Sequence, residues 1–274
     1  MTETQLLHEP IWQALAGAKL YDLAQPIEAG MPVSPNHPGF KMALQRRHGD
    51  MVRADGGSAA NELMMIGGHT GTHVDALCHV SHHGKLHGGV DAFEAQRGGR
   101  FRSHGVEQIP ITLCRGVMLD VAALHGASVL EAGTAITAAD LEGAAARQRV
   151  QVRAGDAVLI RSGWPAHWGD AERFLGHRDG VPGPDESAAQ WLIDRRIRIT
   201  GAETIAYEWI SAGRGHALLP VHRMLLVEHG IHIIEAMNLG ELHAASVSEF
   251  LFVLAPIKVV GATGVPVRPV AVAP

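Results

Sequence analysis

Residues 67–79 read GGHTGTHVDALCH, and the side chains able to bind a cation or carry a proton, His69, His73, Asp75 and His79, all fall at odd positions. A two-residue period is that of extended chain. Wound as a helix at about 100° per residue, the segment would keep His69 and His73 on one face but swing Asp75 roughly 200° from His73. The pattern predicts a strand and excludes a helical zinc site of the HExxH kind. In extended chain, His73 and Asp75 lie about 6.6 Å apart at Cα, close enough for an imidazole nitrogen and a carboxylate oxygen to meet on one ion. His69 on a straight strand would stand about 13 Å from His73, so a bend is expected, and Gly71 is where the backbone makes one most readily. A single strand histidine is usually a surface or hydrogen-bonded interior group. Three with an aspartate on one face are different, because burying them together costs several kcal/mol unless a divalent cation satisfies them.

Outward from this segment, the runs GVMLDVAAL near residue 116 and GDAVLIRSGW near 155 are short, aliphatic and entered through glycine, as buried strands are. Residues 137–149 and 184–196 have helical composition, with Asp140 and Asp185 expected in their first turns. ALLPVHRMLLVEHG predicts a helix begun near Pro220 and stopped by Gly230; IHIIEAM predicts a strand after it. The tail from Phe250 predicts two more strands. Near the start, LYDLAQPIEAGMPVSPNHPGF opens as a strand and becomes a loop around Pro32, Pro35 and Pro38, of the kind that walls a pocket. No repeat or long linker interrupts the chain, so one α/β domain over residues 1–274 is expected, with residues 1–19 as an N-terminal helix or arm.

Composition narrows the function. At 274 residues, 46% hydrophobic and 19% charged, the chain fits an ordinary globular fold. A net charge of −5 without a dense basic run argues against nucleic acid. The apolar tail is broken by Pro256, Lys258, Pro266, Arg268 and Pro269, so no membrane span is expected, and a cytoplasmic location is the default reading. Two cysteines, Cys78 and Cys114, exclude a disulfide framework, and Cys78, off the ligand face, reads as a small buried hydrophobe. GATG at 261–264 has neither the GxGxxG spacing nor a Walker lysine. His82, His83, His87 and His104 form a loose cluster that a solvated loop explains more readily than ligation, with His83 and His216 left open as proton-transfer groups.

The segment HTGTHVDALCH resembles the HxGTHxDxPxH signature of the cyclase family of metal-dependent hydrolases, which has arylformamidase-like and isatin-hydrolase-like branches. Leu77 stands where the short form has proline, and the chain length fits the longer isatin-hydrolase-like branch. YDLAQPIEAGMP, GDAVLIRSGW, AAQWLIDRRIRITGAETIA, PVHRMLLVEHGIHIIEAMNL and APIKVVGATGVPVRP also resemble family blocks in family order, so the likeness runs from about residue 20 onward. One departure is Glu203, where the family has aspartate before Thr204; it reads as a structural residue or as pocket wall.

The resemblance implies a mixed β-sheet flanked by helices, of the swivelling β/β/α type. It implies that His69, His73 and Asp75 bind a first divalent metal, with Asp75 able to bridge to a second held by His222 and Glu235, and that His79 is the acid/base residue. From the residues alone, Glu235 is equally a solvated charge at a strand end. The nitrogen and oxygen donors suit Zn²⁺ or Mn²⁺, as one ion or two. The expected reaction is hydrolysis of a small amide, lactam or lactone by metal-activated water. Trp164 and Trp209 are expected to favour a flat aromatic substrate, and a homo-oligomer is implied by the family alone. A lyase or cyclase acting through an enolate, and a non-catalytic metal-binding protein, are the alternatives.

Overall fold

The computed structural model describes residues 12–274. Most of the expected arm, residues 1–11, lies outside the described residues; residues 12–16 are helical and exposed.

The two glycine-entered aliphatic runs form the middle of a nine-stranded sheet. We number its strands β1 (Lys19–Asp22), β2 (His73–Asp75), β3 (Thr112–Asp120), β4 (Ala157–Arg161), β5 (Ile199–Ala202), β6 (His232–Glu235), β7 (Glu249–Leu254), β8 (Gly264–Pro266) and β9 (Val270–Ala273). Their order across the sheet is β1-β9-β7-β3-β4-β5-β6-β2-β8. The centre, β3 to β6, is parallel. Both margins are antiparallel. The parallel centre is covered on both faces, which is why these strands read as continuous apolar runs. Met118 and Leu159 point to one face with Phe252 and Val74, whereas Val117, Leu119, Val158 and Ile160 point to the other.

The second face is covered by helices α1 (Ala138–Gln148) and α2 (Glu186–Asp194). Each lays a stripe at three-to-four spacing on the sheet: Leu141, Ala144 and Ala145 from one, Ala188, Ala189 and Leu192 from the other. Asp140 closes a capping box with Thr137. Asp185 sits one residue outside its helix, as the N-cap that accepts from Ala188 N. A short helix α3 (Pro220–His222) begins at Pro220 as expected but passes at once into a π-helical turn, Arg223–Glu228. That wider turn buries Leu225, Leu226 and Val227, and Gly230 (φ +66°) ends it.

Two sequence expectations are corrected. The extended stretch is only three residues long, so His69 and His79 approach the site from loops on either side of β2. The tail carries three strands rather than two, because proline and glycine split it into β7, β8 and β9. A further element was not foreseen: an antiparallel hairpin of Lys41–Arg46 and Asn61–Met65, exposed at every position. Among the described residues no helix is long and apolar enough to cross a membrane.

Candidate metal centre

Strand register creates the centre. β2 runs antiparallel to β6 and places His73 directly opposite Glu235, while Val74 between His73 and Asp75 turns into the core. Thr72, on the opposite parity, pins this corner by donating to the Ala236 carbonyl (2.6 Å) and accepting from Gln25 N (2.8 Å). The chain doubles back at Gly71, whose φ of +62° suits glycine, and the rings of His69 and His73 come within 5.1 Å. His69 then lies flat against the backbone of Gly264, where an added Cβ would stand 2.5 Å from its Cε1.

Asp75 is the hub. His69 Nδ1 lies 2.8 Å and His73 Nε2 3.6 Å from its Oδ1, and His222 Nε2 lies 3.6 Å from Oδ2. Glu235 spans the same space, with Oε2 3.3 Å from His73 Nε2 and Oε1 3.0 Å from His222 Nε2. All five side chains are buried, Asp75 completely. Although His69 and Asp75 are close, their contact is off the line of the ring N–H. His69 Nδ1, His73 Nε2 and both Asp75 oxygens are therefore buried without an aligned hydrogen bond. Orphaned donors and acceptors converging on one point are what a divalent cation resolves, so the residues fit a metal. His73, Asp75 and Glu235 form one group of ligand distance, and His69, Asp75 and His79 another.

The ring nitrogens turned away from this point are fixed. His73 Nδ1 donates to the Gly71 carbonyl (2.8 Å), and His69 Nε2 meets Thr263 Oγ1 (2.9 Å). His222 Nδ1 meets Glu208 Oε1 (2.7 Å), and the same carboxylate accepts from His222 N (2.8 Å) and Val221 N (3.1 Å), capping α3. With the outer nitrogen donating to its oxygen partner, a neutral ring would present its inward lone pair to a bound cation. Replacing Glu208 with glutamine, which offers His222 a single acceptor oxygen, is expected to weaken metal binding about 10- to 100-fold by calorimetric titration. Unchanged affinity would reduce Glu208 to a helix cap.

The electrostatics follow from this packing. Burial pushes the Asp75 carboxyl up, but the imidazoles of His79, His222, His69 and His73 outweigh it and hold the group well below the usual range. Burial pulls His73 down, but its contacts with Glu235 and Asp75 raise it to about 9; Glu235, opposed by burial and Asp75, falls to about 2 through His222 and His73. In metal-free protein the raised His73 stabilises the fold fully below about pH 6.5, its unfolded value, and loses that contribution as pH rises through about 9. Thermal melts in chelator should therefore show this loss between those pH values. Melts flat across that window would mean that His73 is not charged in the metal-free fold.

These groups meet at a cavity of about 250 Å³ walled by Ser34, Asn36 and His37 from the proline-rich loop, by Ile205, Ala206 and Leu219, and by His79 and His216. His79 stacks on His69 at 3.9 Å, and burial lowers its imidazole to about 4. His37 stacks on the other side of His69 at 5.1 Å. A larger cleft, about 860 Å³, opens around Val129, Trp164, Arg173 and Asp179, but it contains none of the orphaned atoms, so donor convergence rather than size marks the chemistry.

The structure thus brings together His69, His73, Asp75, His79, His222 and Glu235, and adds His216 to the wall. His83 is exposed and packs on His82 instead (4.0 Å). The aromatic wall is corrected: Trp164 Nε1 donates to Phe174 O and Trp209 Nε1 to Gly133 O, and neither ring lines the cavity. Glu203 is structural, accepting from Ser162 N, Gly163 N and Leu239 N where β4, β5 and the chain after β6 meet. Cys78 is buried against the Ala262 carbonyl. Glu208 and His37 were missed; no periodicity links Glu208 to His222, and only the pocket-wall reading of the loop pointed towards His37.

The model of the family named Cyclase matches residues 21–209. This chain belongs to that family. Isatin hydrolase of Roseibium aggregatum is 26% identical over 225 residues, 81% of this chain and 78% of that one. Among solved structures, one described as a novel cyclase superposes with a TM-score of 0.85 at 28% identity, covering 100% of this chain and 94% of the other. Isatin hydrolase A of Ralstonia solanacearum has this fold at 24% identity, with a TM-score of 0.75 and coverage of 100% and 99%. The family match stops short of His222 and Glu235, which the coordinates join to the centre.

Proposed function

We propose that this cyclase-family chain is a metal-dependent hydrolase that opens a small amide, lactam or lactone with water. The observation that carries this reading is the set of buried, orphaned ligand atoms beside a cavity that the imidazole of His79 also lines. His69, His73 and Asp75, with His222 and Glu235, hold one or two divalent ions, and three nitrogen with two carboxylate donors suit Zn²⁺ or Mn²⁺. The bound ion would polarise the substrate carbonyl and lower the pKa of water towards 7.

The protein's own part is positional. Gly71 O, Thr263 and Glu208 keep the ligand rings turned inward. His79 rests as free base because burial disfavours its cation, so it first accepts a proton at the cavity and then returns it to the leaving nitrogen or oxygen. A volume of about 250 Å³ is below the range of drug-sized sites and fits one or two fused rings. Ile205, Ala206 and Leu219 supply the apolar contact that the tryptophans do not. The isatin hydrolase relative supports a cyclic amide as substrate.

Metal analysis of the purified chain, followed by turnover of isatin, aryl formamides and unsaturated lactones in ¹⁸O-labelled water, tests this. One solvent oxygen is expected in the new carboxylate. Product without label would identify a lyase or cyclase, and a metal-loaded chain inert towards the whole panel would sink the hydrolase reading.

A further inference from the structure

Sites for small molecules are lined mostly by apolar and aromatic side chains. The cavity beside the ligand cluster is not. Among the described residues no phenylalanine, tyrosine or tryptophan lines it, and its apolar part is Ile205, Ala206 and Leu219 alone. No lysine or arginine lines it either, so the wall offers no permanent cation to a carboxylate on an incoming molecule.

One turn of the proline-rich loop builds the polar arc of this wall. Pro35 holds the second position of Ser34–His37 near the dihedral that a β-turn needs, and His37 N closes the turn on Ser34 O (2.9 Å). Pro38 then packs on Gly67, where an added Cβ would stand 3.1 Å from Pro38 Cγ, so the turn is seated two residues from His69. The side chains it delivers are unpartnered. Ser34 is 5% exposed and its hydroxyl has no hydrogen-bond partner, and neither Asn36 nor His37 makes a side-chain hydrogen bond among the described residues. A buried hydroxyl without a partner marks a place for a polar atom of a ligand. The His37 ring lies 5.1 Å from that of His69, so a molecule seated on the ligand cluster has the turn beside it.

Resting on the hydrolase reading, we propose that the turn Ser34–His37 selects the substrate, and that the substrate is a small, uncharged cyclic imide or ureide rather than an aryl lactam. One carbonyl of such a ring goes to the ligand cluster. The second carbonyl, with the ring N–H, meets Asn36 and His37, which together offer donors and acceptors without a permanent charge. The carbon edge of the ring faces Ile205, Ala206 and Leu219. Hydrolysis adds the oxygen of water to the first carbonyl carbon, breaks its C–N bond and returns a proton to the nitrogen. The product is an open-chain acid that keeps an amide or urea at its other end.

Turnover of succinimide, hydantoin, isatin and formanilide is measured with the metal-loaded full chain. Succinimide or hydantoin should exceed isatin in kcat/KM by at least about tenfold, the scale of one well-made hydrogen bond. Formanilide has no second polar group for the turn to hold. The ratio of hydantoin to formanilide kcat/KM should therefore fall about 5- to 10-fold in Asn36→Ala and in His37→Phe, which keeps a ring but loses its nitrogens. His37→Gln, which keeps a donor and an acceptor, should retain more of that ratio than His37→Phe. If none of the four is turned over, the hydrolase reading fails, and calorimetry judges the turn on its own. Succinimide should then bind at least about fivefold more tightly than 2-pyrrolidinone, the same ring with one carbonyl, and His37→Phe should erase the difference. Isatin preferred over both imide and ureide, variants that lower hydantoin and formanilide turnover alike, or succinimide bound no better than 2-pyrrolidinone would each overturn the proposal.

Discussion

Asp75→Asn is expected to leave the purified chain with almost no bound metal and to lower its affinity more than 100-fold. The reason is geometric. Asp75 Oδ1 faces His69 and His73 while Oδ2 faces His222, so one side chain would serve both halves of the proposed ligand set. Loss of an outer partner of a metal ligand costs about 10- to 100-fold in affinity, and a shared, wholly buried ligand must cost more. Asparagine keeps the shape but replaces one oxygen by an NH₂ that points a donor at imidazoles or at a cation. The metal-free protein should also suffer, because deleting one member of a buried charged cluster costs about 3–5 kcal/mol. Elemental analysis after dialysis, with melts in chelator, checks both effects. An Asp75→Asn protein that retained stoichiometric metal at wild-type affinity would show that Asp75 organises the imidazoles rather than binding the ion.

The centre was legible in the sequence to the extent that it is local. His73 and Asp75 could be paired from parity because β2, held between β6 and β8, stays extended and keeps its alternation in the fold. His69 required the bend at Gly71, and φ of +62° there is the price of bringing its ring back over the strand. His222 and Glu235 are a different case. Their meeting depends on β6 lying beside β2, a pairing between strands more than 150 residues apart, and the pattern of either segment is equally that of a capped helix and a strand end. Only the family resemblance joined them in advance. Glu208 was invisible for the same reason, since it acts from a loop on a residue fourteen positions later.

The fold shows the same division. Central strands and helices announce themselves by long aliphatic runs and capping residues, because burial on both faces leaves little freedom in composition. The hairpin at 41–65 hid because it has no buried face in the single chain, so no alternation marks it. The tryptophans misled for a related reason. An aromatic near a motif in sequence was read as pocket wall, whereas each indole N–H found a backbone carbonyl elsewhere in the fold.

His79→Ala should separate a proton carrier from a ligand. If His79 carries protons, turnover falls about 10²- to 10⁴-fold, the usual contribution of a positioned acid/base group, while metal stoichiometry and affinity stay at the wild-type level. Its burial and its stacking on His69 support this role: the free base, favoured above about pH 4, is the form that can accept a proton, and a nearby cation would favour that form further. The alanine also opens space beside His69, so added imidazole should restore part of the lost rate in the variant and none in the wild type. The competing outcome is specific. His79 lies within ligand distance of His69 and Asp75, and if it binds the ion, the variant loses metal in step with activity and exogenous imidazole raises metal occupancy before it raises turnover. Measuring both quantities in one imidazole titration decides between the roles, because a ligand couples them and a proton carrier does not.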